Sequence, residues 1–233
     1  MTGFTEPVSS VTWAPDGQTF ITGSLDEYMI SWNAQGERLY RGSSPRTYDL
    51  EITADGSKIV AVCISGQLHV YDYHDWKNRQ SYKLGNRLTG VETTKDSRHA
   101  IVNTDDREVV LVDLENGKVI QRYSGQVQDE WVIRGCLGGA DENFVLSGSE
   151  GWFDWTPLIR GSVLTWTDSN IYVWHKQNGQ LVEKLAGHTG TVNCVAWNPS
   201  NAQMFASAGD DRTIRMWEFP SFSRIVFCTN KFV

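Results

Sequence analysis

One group of residues in this chain has the composition for acyl-transfer chemistry: His188, Ser207 and Asp211. In a hydrolase of this type the imidazole takes the hydroxyl proton while the carboxylate fixes the ring. The sequence lacks the Gly-x-Ser-x-Gly turn that would expose such a hydroxyl at the end of a strand. Two adjacent acid pairs, Asp105-Asp106 and Asp210-Asp211, have the makings of an acid–base pair or a metal grip, but both fall at predicted tight turns and read as turn residues. Cys63, Cys136, Cys194 and Cys228 lie far apart with no Cys-x-x-Cys pair. They read as reduced, mostly buried thiols of an intracellular protein rather than a disulfide framework or zinc site. His69 and His99 fall on predicted strands and read as ordinary strand residues. No glycine-rich loop opens a helix, so no phosphate cradle is apparent. No cofactor, metal or small-molecule substrate is expected, and no enzymatic activity.

The elements that position His188, Ser207 and Asp211 explain their spacing. Three strand-like runs, Val192 to Trp197, Met204 to Ala208 and Thr213 to Trp217, are separated by Asn198-Pro199 and Gly209-Asp210-Asp211. The same order recurs upstream, so the chain divides into repeats at about 8–35, 36–75, 79–116, 118–178 and 180–219, with a terminal strand at 224–228. Repeat ends at Trp32, Tyr71, Val112, Trp174 and Trp217 are spaced by 39, 41, 62 and 43 residues. Segments such as Lys118 to Tyr123 and Gln180 to Leu185 supply a fourth strand to each repeat.

A four-stranded unit of this period with a Gly-His…Trp signature resembles the WD40 β-propeller family. The implied fold is all-β: five recognisable four-stranded blades. The start and end of the sequence lead us to expect the C-terminal part of a seven-bladed ring, with a small closed five-unit ring as the other reading. In that family a His, a Ser or Thr, an Asp and a Trp of each blade form a buried hydrogen-bonded chain. The matching residues of the last repeat are His188, Ser207, Asp211 and Trp217. Partial sets are Thr22, Asp26 and Trp32 in the first repeat, Asp106 in the third, and Ser147, Asp168 and Trp174 in the fourth, where Gln126 stands at the His position.

The spacing of 62 contains an interruption. Writing Ser147-Gly-Ser-Glu150 directly before Asp168-Ser-Asn-Ile-Tyr-Val-Trp174 aligns without gaps to Ser207 through Trp217, so residues 151–167 are a 17-residue insertion. It carries Trp152, Phe153, Trp155, Arg160 and Trp166. Exposed aromatic clusters mark interfaces, which makes this a candidate partner-binding loop. Two other readings are a loop folded back on its blade and translated non-coding sequence.

The net charge of −7 and the absence of any long Lys/Arg run argue against general nucleic-acid or anionic-membrane binding. No unbroken apolar stretch approaches the ~18 residues of a membrane span, and the start lacks the pattern of a secretory signal. A cytoplasmic or nuclear location is expected. Ile171-Tyr-Val-Trp-His-Lys176, Leu185-Ala-Gly-His-Thr-Gly-Thr-Val-Asn-Cys-Val-Ala-Trp-Asn-Pro199 and Val119-Ile-Gln-Arg-Tyr-Ser-Gly-Gln126 resemble the WD-repeat subunits of GID/CTLH ubiquitin ligases. That resemblance implies a scaffold whose partners are other ligase subunits and degradation substrates. Members of that family carry LisH and CTLH helices before the propeller, and no segment of these 233 residues matches them. The alternative is a WD40 adaptor of another signalling or chromatin complex.

Overall fold

The computed structural model describes residues 3–156, 163–221 and 224–228. Five four-stranded antiparallel sheets and a two-stranded ribbon occur among them. The chain forms two compact units, Met1–Arg122 and Tyr123–Val233.

In the N-terminal unit the first sheet is β1 (Val8–Trp13), β2 (Thr19–Ser24), β3 (Tyr28–Asn33) and β4 (Arg38–Ser43). The second is β5 (Thr47–Ile52), β6 (Lys58–Cys63), β7 (Gln67–Asp72) and β8 (Arg79–Lys83). The third is β9 (Leu88–Thr93), β10 (His99–Thr104), β11 (Glu108–Asp113) and β12 (Val119–Ser124). The middle strands read as unbroken apolar runs because both of their faces are covered. On β6 the two-residue period of a strand divides the side chains between two cores. Ile59 and Ala61 pack with Ile21 and Met29 of the first sheet. Val60 and Val62 pack with Val102 and Val110 of the third. Each such burial contributes about 1.5–3 kcal/mol. The fourth strands are polar and exposed, as in Arg38-Leu-Tyr-Arg-Gly-Ser43.

Local side-chain chemistry fixes the turns. After the first strand of the second repeat, Asp55 accepts from Thr53 Oγ1 at 2.6 Å and from the Ser57 amide at 2.9 Å. The Thr53 hydroxyl, then the Ser57 amide, hold its carboxyl down at about 2. Asp96 repeats the arrangement with Thr94 and the Arg98 amide, and Asp16 with the Gln18 amide. These are Asx turns, and they explain why Asp recurs at this step of the repeat.

Buried in the second sheet, His69 is 2% exposed. Its Nδ1 meets Ser81 Oγ at 2.7 Å, and its Nε2 has no protein partner. A proton on Nε2 would thus be buried without an acceptor. Burial first, then the Arg79 charge, pulls the imidazole down to about 4 from an ordinary 6.5. The folded state therefore binds fewer protons than the unfolded chain between these values. The stabilisation is complete above pH 6.5 and is lost as pH falls towards 4, a difference of about 3 kcal/mol. His69→Leu should flatten this part of the stability profile, measured by urea titration at pH 7, 6, 5 and 4. An unchanged slope in the variant would overturn the assignment.

In the C-terminal unit one sheet runs β13 (Cys136–Gly138), β14 (Phe144–Ser147), β17 (Ile171–His175) and β18 (Leu181–Leu185). The other runs β19 (Val192–Trp197), β20 (Met204–Gly209), β21 (Ile214–Ser221) and β22 (Arg224–Cys228). Leu146, Ile171, Val173, Val192, Phe205 and Trp217 form the core between them. Gly148 is required by this approach: a Cβ there would lie 2.0 Å from the Val192 carbonyl oxygen.

Residues 151–167 join β14 to β17 through β15 (Gly151–Thr156) and β16 (Val163–Asp168). These pair as an antiparallel ribbon from Gly151↔Asp168 to Thr156↔Val163, forming a two-stranded sheet of their own. Both ends of the segment are therefore side by side.

Candidate functional site

Within the last repeat β20 and β21 pair in a register that sets Phe205 opposite Trp217 and Ser207 two residues further along the same face. The Trp217 indole donates to Ser207 Oγ at 2.9 Å. Ser207 Oγ lies 2.7 Å from His188 Nε2, and His188 Nδ1 lies 2.9 Å from Asp211 Oδ2. The indole can only donate, so its proton occupies a lone pair of Ser207, and the hydroxyl proton is free to go to His188 Nε2. That makes Nε2 an acceptor and puts the imidazole proton on Nδ1, facing Asp211. Donation then runs in one direction, Trp217 to Ser207 to His188 to Asp211, and ends on a carboxylate.

The charges agree with this order. Burial lowers the His188 imidazole below its ordinary value, opposed by Asp211. Burial alone would raise the Asp211 carboxyl, but hydrogen bonds from Thr213, His188 and the Thr189 amide outweigh it and bring it to about 2. Thr213 contributes both its hydroxyl, at 2.7 Å, and its amide, at 3.0 Å. The resemblance to a catalytic triad ends here. Ser207 is 2% exposed, with its oxygen held between an indole and an imidazole, so no carbonyl carbon can reach it.

The other repeats use the same positions differently. In the first, the Trp32 indole donates to Thr22 Oγ1 at 2.8 Å, while Asp26 accepts from the Thr5 amide at 2.8 Å, a backbone group in place of an imidazole. In the third, Asp106 takes the Asn86 side-chain amide at 3.4 Å. The fourth departs furthest. The Trp174 indole donates to the Ser124 carbonyl at 3.2 Å rather than to Ser147, whose hydroxyl donates to the Gly148 carbonyl at 3.1 Å. Asp168 accepts from Ser149 Oγ at 2.8 Å and from the Tyr172 hydroxyl at 2.8 Å. Lys184 Nζ stands 3.4 Å away. Gln126 is buried, and neither atom of its side-chain amide has a protein partner.

A single atom accounts for this exchange. Ser149 and Ser24 occupy the position of Gly209, two residues beyond the strand hydroxyl. A Cβ on Gly209 would come within 2.8 Å of His188 Nδ1. The glycine leaves the imidazole its room in this position. Where a serine stands instead, its hydroxyl fills the space, and in the fourth repeat it makes the bond to the carboxylate itself.

The residue after the turn acid, or after Ser65 at that position of the second repeat, also repeats. Glu27, Gly66, Arg107, Ser169 and Arg212 all have φ between 62° and 71°. Ser169 thus takes the backbone position of Arg212 across the 17-residue interruption. Asp168, with φ 86°, is additionally left-handed, unlike Asp211.

Glu150, the residue before the ribbon, had no assigned role in the sequence. It is 3% exposed, and its carboxylate accepts from the amides of Asp129, Glu130 and Trp131 at 2.9, 3.0 and 2.8 Å. This draws residues 129–131 into a tight loop. By the order of the other repeats, the run that follows, Val132 to Leu137, stands where the first strand of the repeat belongs. Instead the Arg134 amide donates to Asn193 O at 3.0 Å and Arg134 bridges Cys194 in parallel, leaving β13 only three residues. A buried acid flanking an insertion was the available signal.

Of the aromatic candidates, Trp152, Phe153 and Trp155 fall on β15 and Trp166 on β16, with Phe153 opposite Trp166. Arg160 lies outside the described residues. Cys63 and Cys136 are buried, and burial pushes the Cys63 thiol up to about 12. No group of three or more metal-ligating side chains occurs among the described residues.

A profile of the family described as WD domain, G-beta repeat matches residues 1–33 and 179–218. GID complex subunit 7 of Schizosaccharomyces pombe is 36% identical over 217 residues, 90% of this chain and 39% of that protein. A WD repeat-containing protein 26 homolog of Arabidopsis thaliana is 34% identical over 212 residues, 89% of this chain and 33% of that protein. The chain therefore spans less than half the length of these relatives. A solved structure, titled Structure of U3-55K, superposes with TM-score 0.75 at 14% identity, covering 93% of this chain and 62% of that one; it supports the fold alone. With its five four-stranded sheets and the profile matches at both ends, the chain is a WD40-repeat protein of the β-propeller class, similar to GID complex subunit 7.

Proposed function

We propose that this chain is a non-catalytic protein-interaction scaffold in a GID/CTLH-type ubiquitin ligase, assembling other subunits or recruiting proteins for proteasome-dependent degradation. The observation that carries the reading is 36% identity to GID complex subunit 7 across 90% of the chain. The buried state of Ser207 supports a structural rather than catalytic role for the tetrad. The five repeats form part of a larger ring in this reading, working in the cytoplasm or nucleus. Among the described residues no helix is long and apolar enough to cross a membrane. Affinity purification of the full-length protein tests the proposal: ligase subunits should co-purify. Recovery of an intact protein with none of them would favour a WD40 adaptor of another complex, such as one built around a relative of the Drosophila melanogaster WD repeat-containing protein 82, which is 27% identical.

The β15–β16 ribbon is the proposed docking element, because it is a two-stranded sheet of its own and its sequence is rich in tryptophan. Deleting residues 151–167 should keep or raise the melting temperature. Gly151 already pairs with Asp168, so Glu150 can be joined to Asp168 locally. Asp168 is then free to leave the left-handed region, as Asp211 does. The deletion should abolish binding of one partner in the same purification. Loss of folding would overturn the alignment, and an unchanged partner set would overturn the docking role.

A further inference from the structure

We propose that a pocket in the N-terminal unit, between β3–β4 and the turn after β7, binds a methylated ammonium group presented as a lysine side chain of a partner protein. The pocket has a volume of about 460 Å³, and Tyr40, Tyr73, Trp76 and Leu39 form its apolar walls, with Asp75 as its carboxylate. No lysine or arginine lines it.

The walls are held in place by contacts that involve no ligand. A bulge at Leu39, between the pairs Ser31↔Tyr40 and Trp32↔Arg38, kinks β4 beside the pocket. The Tyr73 hydroxyl bonds Thr19 Oγ1 at 2.6 Å, and the Trp76 indole donates to the Tyr73 carbonyl at 3.1 Å. Gly42 makes room for Trp76, since a Cβ there would fall 2.6 Å from the indole. The rings of Tyr40 and Trp76 stand at 87° with centroids 5.0 Å apart, two walls of a corner. Arg41, next to Tyr40 on β4, stacks on Tyr28 at 3.7 Å.

Ring faces are negative, and a cation over them is attracted. A bare ammonium is strongly hydrated, and three rings with one carboxylate replace that hydration poorly. Methylation spreads the charge over apolar surface that the rings can cover. Asp75 Oδ1 accepts from the Lys77 amide at 3.1 Å, and among the described residues no hydrogen bond occupies Oδ2. The pocket opens beside β4, the outer strand of its sheet, where Leu39 is 54% and Tyr40 47% exposed. An extended segment can lie along such an edge and drop a side chain inward. A chain of net charge −7 also favours a cationic partner.

The test is fluorescence polarisation with the full chain and a labelled peptide carrying one central trimethyllysine among neutral polar residues. The unmodified lysine peptide and a neutral tert-butyl isostere should each bind about 10-fold more weakly. Asp75→Asn, which keeps the Oδ1 acceptor, should weaken binding about threefold with an unchanged melting temperature. Trp76→Ala should abolish it, with circular dichroism confirming the fold. No binding of the trimethyllysine peptide at millimolar concentration would overturn the proposal. Equal binding of the isostere would overturn the role of charge, and equal binding of unmodified lysine the role of methylation. Phosphocholine binding as tightly as the peptide would overturn the protein source. An Asp75→Asn variant with unaltered affinity would remove that carboxylate from the site.

Discussion

Glu150→Ala should destabilise the Tyr123–Val233 unit by about 3 kcal/mol. Hydrogen bonds to a charged acceptor contribute about 1.5–3 kcal/mol each, and three amides converge on this carboxylate. The full sum will not be lost, because Asp129, Glu130 and Trp131 are not fully buried and their amides can turn to water. Glu150→Gln retains one oxygen acceptor and should cost about half as much. Urea unfolding measures the stability, and amide hydrogen exchange measures the cause. Protection at residues 129–131 should collapse in the alanine variant and fall partly in the glutamine variant. Unchanged protection there would show that the loop is held by other means.

Asp211→Ala should cost about 1–3 kcal/mol, since it strands the Nδ1 proton of a 7%-exposed His188 and frees Thr213 and Thr189. Asp16→Ala is the control. Asp16 accepts the Gln18 amide in an exposed turn, and its loss should cost under about 1 kcal/mol. Equal melting temperatures would count against the tetrad. The pH profile gives a second check. Asp211 is held at about 2, below an unfolded carboxyl, so its contribution is complete above about pH 4 and is lost as pH falls through 2. His188, also depressed, adds the same sign at higher pH. The variant should therefore show a shallower limb than the wild type below about pH 4.

The repeats were legible because each demand on them is local. The apolar run of β6 and the Asp at the 55 and 96 turns follow from a strand covered on both faces and a short side chain near its own backbone. The gap-free alignment across residues 151–167 was legible for the same reason, and the left-handed Ser169 matches Arg212. The fourth repeat was less so. Val132 to Leu137 stands where the first strand of a repeat belongs, but Glu150 competes for the amides just before it and Asn193 takes the amide of Arg134. Periodicity cannot reveal a partner that lies 20 or 59 residues away. The rerouting of Trp174 to Ser124 likewise depends on where β12 ends. The Tyr40–Trp76 corner joins two repeats and has no spacing signature.

The exchange between Gly209 with His188 and Ser149 with Gln126 has an evolutionary consequence. A serine arising alone at 209 would bring its Cβ to 2.8 Å from His188 Nδ1, so the ring would have to shift. The two positions are therefore expected to change together. The two positions lie in different strands' approaches, 21 residues apart in the last repeat and 23 in the fourth. A crossover falling inside a repeat would separate them, whereas one falling between repeats carries both. Recombination and duplication in such a gene are therefore expected to leave viable offspring when they cut at repeat borders, so that the blade, rather than the residue, is the unit of inheritance.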